Sequence, residues 1–194
     1  MRADIVVAGV GGQGVLTAAG ILAEAARRAG LQVKQGEIHG MSQRGGAVTA
    51  NLRMDHKPVA SDLIPRGQAT MILSLEPVEA LRWLPYLAYS GVVVTSSNPV
   101  LNIPDYPPVE TVLDALARLP HAVVVDADPL ARQAGSGHAN NVVMLGACAG
   151  FLPFPAALLR QVVEDLFGRR SERLRDINLR AFDAGVEAAA VPAG

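Results

Sequence analysis

The 194-residue sequence predicts an α/β fold: one domain over residues 1–194, a mostly parallel sheet flanked by helices, and a helical last third. Three observations carry that reading. Short β-branched runs alternate with segments of helical apolar period, the pattern of strand–helix–strand units. Half the chain is hydrophobic and only 18% is charged, against roughly 25% in an average soluble domain. That balance suits parallel strands buried on both faces, and it equally suits a subunit that buries surface against a partner. Finally, 19 glycines and 13 prolines punctuate the alternating segments.

The elements follow in order. Residues 4–8 (D-I-V-V-A) are a buried strand ending at Gly9. Residues 15–29 carry Leu16, Ala19, Leu22, Ala23 and Ala26 at helical spacing, with Gly30 as the stop. Residues 31–34 form a second strand, which makes the first three elements a Rossmann-like strand–helix–strand unit. Residues 36–46 read as a polar, glycine-containing loop and 47–54 as a half-buried strand with alternating character. A turn at 55–58 precedes a strand at 69–75. Glu76-Pro77 opens a helix to about residue 87, with proline in its first turn. Residues 91–95 are a strand, 98–108 a proline-rich connection, 111–119 a helix and 122–125 a strand. Helices over 140–151, 155–167 and 171–190 complete the chain; the first carries small residues suited to close packing.

Composition excludes several function classes. Seventeen basic against eighteen acidic residues give a net charge of −1, which disfavours nucleic-acid binding through a basic surface. The cluster Arg169, Arg170, Arg173 and Arg175 is interleaved with Glu172 and Asp176 and reads as a solvated or subunit-facing helix surface. No apolar run approaches the ~20 residues that span a bilayer, and the run 5–10 ends in glycines rather than at a signal-peptide cleavage site. A cytoplasmic chain with no membrane partner is expected. The single cysteine, Cys148, cannot form an internal disulfide or ligate a cluster alone, and the spacing of His39, His56 and His138 resembles no metal site.

Two segments stand out as chemistry. Gly9-Val10-Gly11-Gly12-Gln13-Gly14 lies between a strand and a helix and fits G-x-G-x-x-G, where backbone amides at a helix start can bind phosphate. A dinucleotide site also needs an acid at the end of the second strand, but the first acid here is Glu37, beyond Gly36. Three readings stay open: NAD or FAD, another phosphate-bearing ligand, or a turn serving packing alone. The second segment, 36–46, places Ser42, Gln43 and Arg44 before Gly45 and Gly46. Arg44 offers a planar fork for phosphate or carboxylate, and the glycines allow close backbone approach. Topology puts this segment at the same carboxyl edge of the sheet as the first glycine turn.

Together, Val10-Gly11-Gly12-Gln13-Gly14 and Glu37-Ile38-His39-Gly40-Met41-Ser42-Gln43-Arg44-Gly45-Gly46 resemble the gamma-type subunits of 2-oxoacid:ferredoxin oxidoreductases, most of all the indolepyruvate-specific kind. Asn141-Val142-Val143-Met144-Leu145-Gly146 adds to the resemblance, which runs from about residue 4 to 190. It implies a thiamine-diphosphate enzyme that converts an arylpyruvate and coenzyme A to an aryl-acetyl-CoA and carbon dioxide, passing electrons through iron–sulfur clusters to ferredoxin. It further implies that Gly11, Gly12, Gln13, Gly14, Ser42, Gln43, Arg44, Gly45 and Gly46 lie against coenzyme A or the partner. The sequence has neither a thiamine-type G-D-G…N pattern nor four cluster cysteines. Thiamine diphosphate, magnesium and the clusters are therefore expected on a large partner subunit, with this chain inactive alone. A stand-alone nucleotide-binding module and a purely structural subunit are the alternatives.

Overall fold

The computed structural model describes residues 2–39, 46–101 and 103–190. Ser42, Gln43, Arg44 and Gly45 lie outside the described residues. The strands are β1 (Ala3–Val10), β2 (Gln32–His39), β3 (Ala47–Asp55), β4 (Ala69–Ser74), β5 (Leu87–Ser96) and β6 (Ala122–Val125). The helices are α1 (Val15–Arg28), α2 (Pro77–Arg82), α3 (Val109–Ala117), α4 (Ala127–Ala134), α5 (Asn140–Cys148), α6 (Ala156–Gly168) and α7 (Glu172–Ala190).

The sheet order is β2-β3-β1-β4-β5-β6. Pairs β1–β4, β4–β5 and β5–β6 are parallel, whereas β3 runs antiparallel to both β1 and β2. The sheet is thus mostly parallel, with one correction to the expected first unit. Strand β2 points the same way as β1 but does not lie beside it, because β3 is inserted between them.

Every residue of β1 is buried, for a simple reason. Its alternate side chains feed two cores, Ile5 and Val7 on one face, Val6 and Ala8 on the other. Helices α1, α5, α6 and α7 cover the first face; α2 and α3 cover the second. Burial on both faces accounts for the apolar run and for part of the apolar surplus. Beneath the sheet's opposite edge, buried Asp4 accepts from Arg2 Nε at 2.9 Å and from Arg53 Nε at 2.8 Å, tying β1 to β3 by charge-assisted bonds. Helix α5, apolar after its opening Asn140-Asn141 and buried from Asn141 to Cys148, lies under α7 at a crossing made by Gly146 and Gly185, where any Cβ would overlap the backbone carbonyl of Phe182 or Val143.

Several boundaries differ from expectation. Residues 36–39 belong to β2 rather than to a loop. Strand β2 is an edge strand, so its polar Gln35 and Glu37 need no burial and hide the strand period. Strand β3 is buried on both faces rather than half-buried, since Thr49 and Asn51 are covered as well. The helix expected over 76–87 stops at Arg82; a 3-10 turn at Leu84–Tyr86 leads into a long β5. Helix α4 has no counterpart among the elements the sequence predicts, and it contains Pro129. That proline is tolerated in a first helical turn, whose amides have no helical acceptor.

Candidate functional site

The glycine turn joins β1 to α1 at the carboxyl edge of the parallel strands, where open α/β sheets bind ligands. Two glycines give it its shape. Gly12 has φ +103° and Gly14 φ +84°, the left-handed region that side-chain-bearing residues avoid. Gly14 is the N-cap of α1 and offers no side chain to the helix's first amides. The start of α1 thus presents backbone N–H groups and the positive end of the helix dipole, which together suit an anion.

The turn is locked from inside. Gln13 Oε1 accepts from Val10 N at 2.7 Å, and Gln13 Nε2 donates to Leu75 O at 2.8 Å. Both ends of that amide are occupied within the chain, so Gln13 braces the turn against β4. Asn141, at the start of α5, points its Nδ2 at Gly14 O from 3.5 Å. A Cβ on Gly14 would strike this amide, whereas at Gly12 no described heavy atom lies within 4 Å of the Cβ position. Gly14 is thereby a packing glycine and Gly12 an open one.

The second segment returns to this turn. Gly11 N donates to Gly46 O at 2.8 Å, and Val10 stands opposite Ala47 in the β1–β3 register. The two glycine-bearing segments thus meet at Gly11 and Gly46. The register brings the end of β2 there too, with His39 opposite Val48. This arrangement departs from a dinucleotide site. Glu37 lies on β2, one strand removed from β1, and accepts from Gln35 Nε2 at 3.0 Å.

Two clefts flank the turn. One, of about 290 Å³, is largely apolar and lined by Val10, Gly11, Gly12, Leu16, Thr17 and Val48. The other, of about 230 Å³, is polar and runs from Gly12 and Gln13 to Asn98, Asp128, His138 and Asn140. Its polar wall is pre-set: Asp128 N donates to Asn98 Oδ1 at 2.9 Å and Asn140 Nδ2 to Asp128 Oδ1 at 3.1 Å. Of the asparagines lining this cleft, the sequence marks only Asn141, within its motif. The only signal of the others is a cluster of amide residues at strand and helix ends. A larger cleft of about 470 Å³ lies between α1 and α6, but its Arg28 is already paired with Glu24 and Asp165.

Among the described residues no group of three His, Cys, Asp or Glu side chains could hold a metal ion. Cys148 is fully buried, with burial pushing its thiol up to about 12. Among the described residues, no helix is long and apolar enough to cross a membrane.

A mostly parallel α/β sheet carrying a glycine turn at its carboxyl edge defines a class, and family comparison places the chain within it. Residues 4–188 match the pyruvate ferredoxin/flavodoxin oxidoreductase family, to which the chain belongs. It is 40% identical to the indolepyruvate oxidoreductase subunit IorB of Thermococcus kodakarensis, over 96% of this chain and 95% of that one. Among solved structures, pyruvate oxidoreductase subunit PORC of Thermotoga maritima shares the fold with TM-score 0.73 and 24% identity, covering 96% of both chains. So does the 2-oxoglutarate:ferredoxin oxidoreductase of Magnetococcus marinus, solved with 2-oxoglutarate, coenzyme A and succinyl-CoA bound. Its TM-score is 0.77 at 22% identity, over 97% of this chain and 31% of that one.

Proposed function

We propose that this chain is the small, non-autonomous subunit of a 2-oxoacid:ferredoxin oxidoreductase acting on indolepyruvate or related arylpyruvates. The near full-length similarity to indolepyruvate oxidoreductase subunits supports the substrate class. The observation that carries the site is the Gly11–Gly46 hydrogen bond, which joins two glycine segments beside an open cleft. In the overall reaction a 2-oxoacid and the coenzyme A thiol give a thioester and carbon dioxide, and two electrons leave for ferredoxin.

Among the described residues no set of donors fits an iron–sulfur cluster or the metal ion that accompanies thiamine diphosphate. The chain's one thiol is buried and protonated, and the described carboxylates and histidines form no metal-holding group. Those groups belong to the large partner subunit. The chain's own part is to present coenzyme A. The amides at the start of α1 bind an anionic phosphate, and Gly12 lets the ligand approach the backbone. Val10, Leu16 and Val48 form an apolar wall, and the chemistry of Ser42, Gln43, Arg44 and Gly45, which precede Gly46 in the chain, makes a hydroxyl, an amide and a guanidinium the further contacts we propose for the ligand. Gln13 holds the turn in place.

Reconstitution tests this. The purified chain should show no indolepyruvate-dependent ferredoxin reduction, and adding the large subunit should restore it with dependence on coenzyme A. Turnover by the chain alone would end the proposal. So would tight NAD or ATP binding without partner association, which would favour a stand-alone nucleotide-binding module.

A further inference from the structure

Helix α2 begins with two acidic residues that the coenzyme A site does not use. Glu76 is 1% exposed and caps the helix: its Oε2 accepts from Glu79 N at 2.8 Å. Its other oxygen accepts from Val100 N at 3.4 Å and from the Tyr106 hydroxyl. Glu79 is 5% exposed, and its Oε1 accepts from Arg82 Nε at 3.2 Å. Its Oε2 is buried and has no hydrogen-bond partner among the described residues.

Glu76, Glu79, Arg82 and Tyr106 line a pocket of about 90 Å³ together with Gly46 and Ile103. Gly46 is the residue bonded to the glycine turn, so the pocket and the coenzyme A rim share a wall. We propose that this pocket receives one cationic head, a guanidinium or ammonium, carried by a side chain of the large partner subunit.

The chemistry follows from the acceptors. An ionised carboxylate only accepts, and a buried one left unpaired is costly. Against two buried carboxylates the described residues supply one cation, Arg82, whose side chain is 54% exposed. Without a further cation the carboxyl of Glu79 is held above its ordinary range by burial, with Glu76 adding to the push. The volume equals about three liquid waters, room for a single head group. No three-ligand metal cage exists among the described residues, so a metal is the poorer fit. The partner is favoured as source by the pocket's place on the rim, where Ile103, which lines it, is 41% exposed and Leu101, two residues earlier in the chain, is 72% exposed.

The proposal rests on the subunit reading, and one titration separates the two. Calorimetry of the full-length chain against the purified large subunit, at low and at moderate salt, compares wild type with Glu79→Gln and with the surface control Glu110→Gln. Removing one member of a buried charge pair should weaken association about 30-fold or more at low salt, while the control binds as wild type. A thermal melt confirms that the Gln variant is folded. Wild-type affinity for Glu79→Gln overturns the proposal alone; absence of wild-type association overturns the subunit reading and the proposal with it. If Arg44→Gln and Glu79→Gln destabilise the isolated chain equally and non-additively, the cation is the chain's own, which also overturns it.

Discussion

Gly14→Ala is the substitution that most sharply separates shape from ligand contact in the glycine turn. Two costs apply. An alanine at φ +84° carries left-handed strain of about 1–2 kcal/mol. Its methyl also meets the Asn141 amide, which must move within a packed helix start, and overpacking of that kind costs about 1–3 kcal/mol. The Asn141 Nδ2–Gly14 O bond is long, at 3.5 Å, so its loss adds little. The total is about 2–5 kcal/mol. Gly12→Ala, at φ +103° with open space around it, carries the strain alone, about 1–2 kcal/mol. Urea denaturation followed by circular dichroism measures both, provided the slope of the transition is unchanged. A cycle with Asn141→Ala isolates the contact: the pair should couple by about 1–3 kcal/mol, because the smaller side chain makes room for the new methyl. Equal destabilisation by the two glycine variants, or no coupling to Asn141, would refute this division of labour.

Other outcomes follow from the same physics. Gly185→Ala should cost about 3 kcal/mol or more, since its Cβ falls on the Val143 carbonyl and two backbones must separate; a melting temperature within a degree of wild type would contradict the close α5–α7 crossing. For Glu79 the folded carboxyl lies above its ordinary 4.5, so its stabilising contribution is full below 4.5 and is lost as pH rises through the raised value. The isolated Glu79→Gln chain should therefore match or exceed wild type in melts at neutral pH and show a flatter pH profile above 4.5; a steeper loss would reverse the sign. Cys148, buried with its thiol up near 12, should resist iodoacetamide in the native chain and react in urea; rapid native labelling would show that α5 opens.

Much of this architecture is visible in the amino-acid order because local signals agree with the tertiary outcome. The β-branched run of β1, the helical period of α1 and the glycines between them each encode one element and its boundaries. The insertion of β3 between β1 and β2 is a long-range pairing that no local period records. Buried Thr49 and Asn51 look like a solvent face until both covering layers are known. At the site, the meeting of the two glycine segments follows from topology and is realised through Gly11 and Gly46. The bracing role of Gln13 depends on Leu75, a neighbour sixty-two residues away, and so is silent in sequence. Glu76 and Glu79 read as an ordinary helix start; only the return of Tyr106 and Gly46 turns them into a pocket.

The most direct test is the Michaelis constant for coenzyme A in the reconstituted complex carrying Gly12→Val. A branched side chain at this open position should crowd the backbone and raise that constant at least tenfold, leaving the constant for indolepyruvate within about twofold and the assembly intact. An unchanged dependence on coenzyme A in a fully assembled complex would contradict the account, and the glycine turn would then serve packing alone.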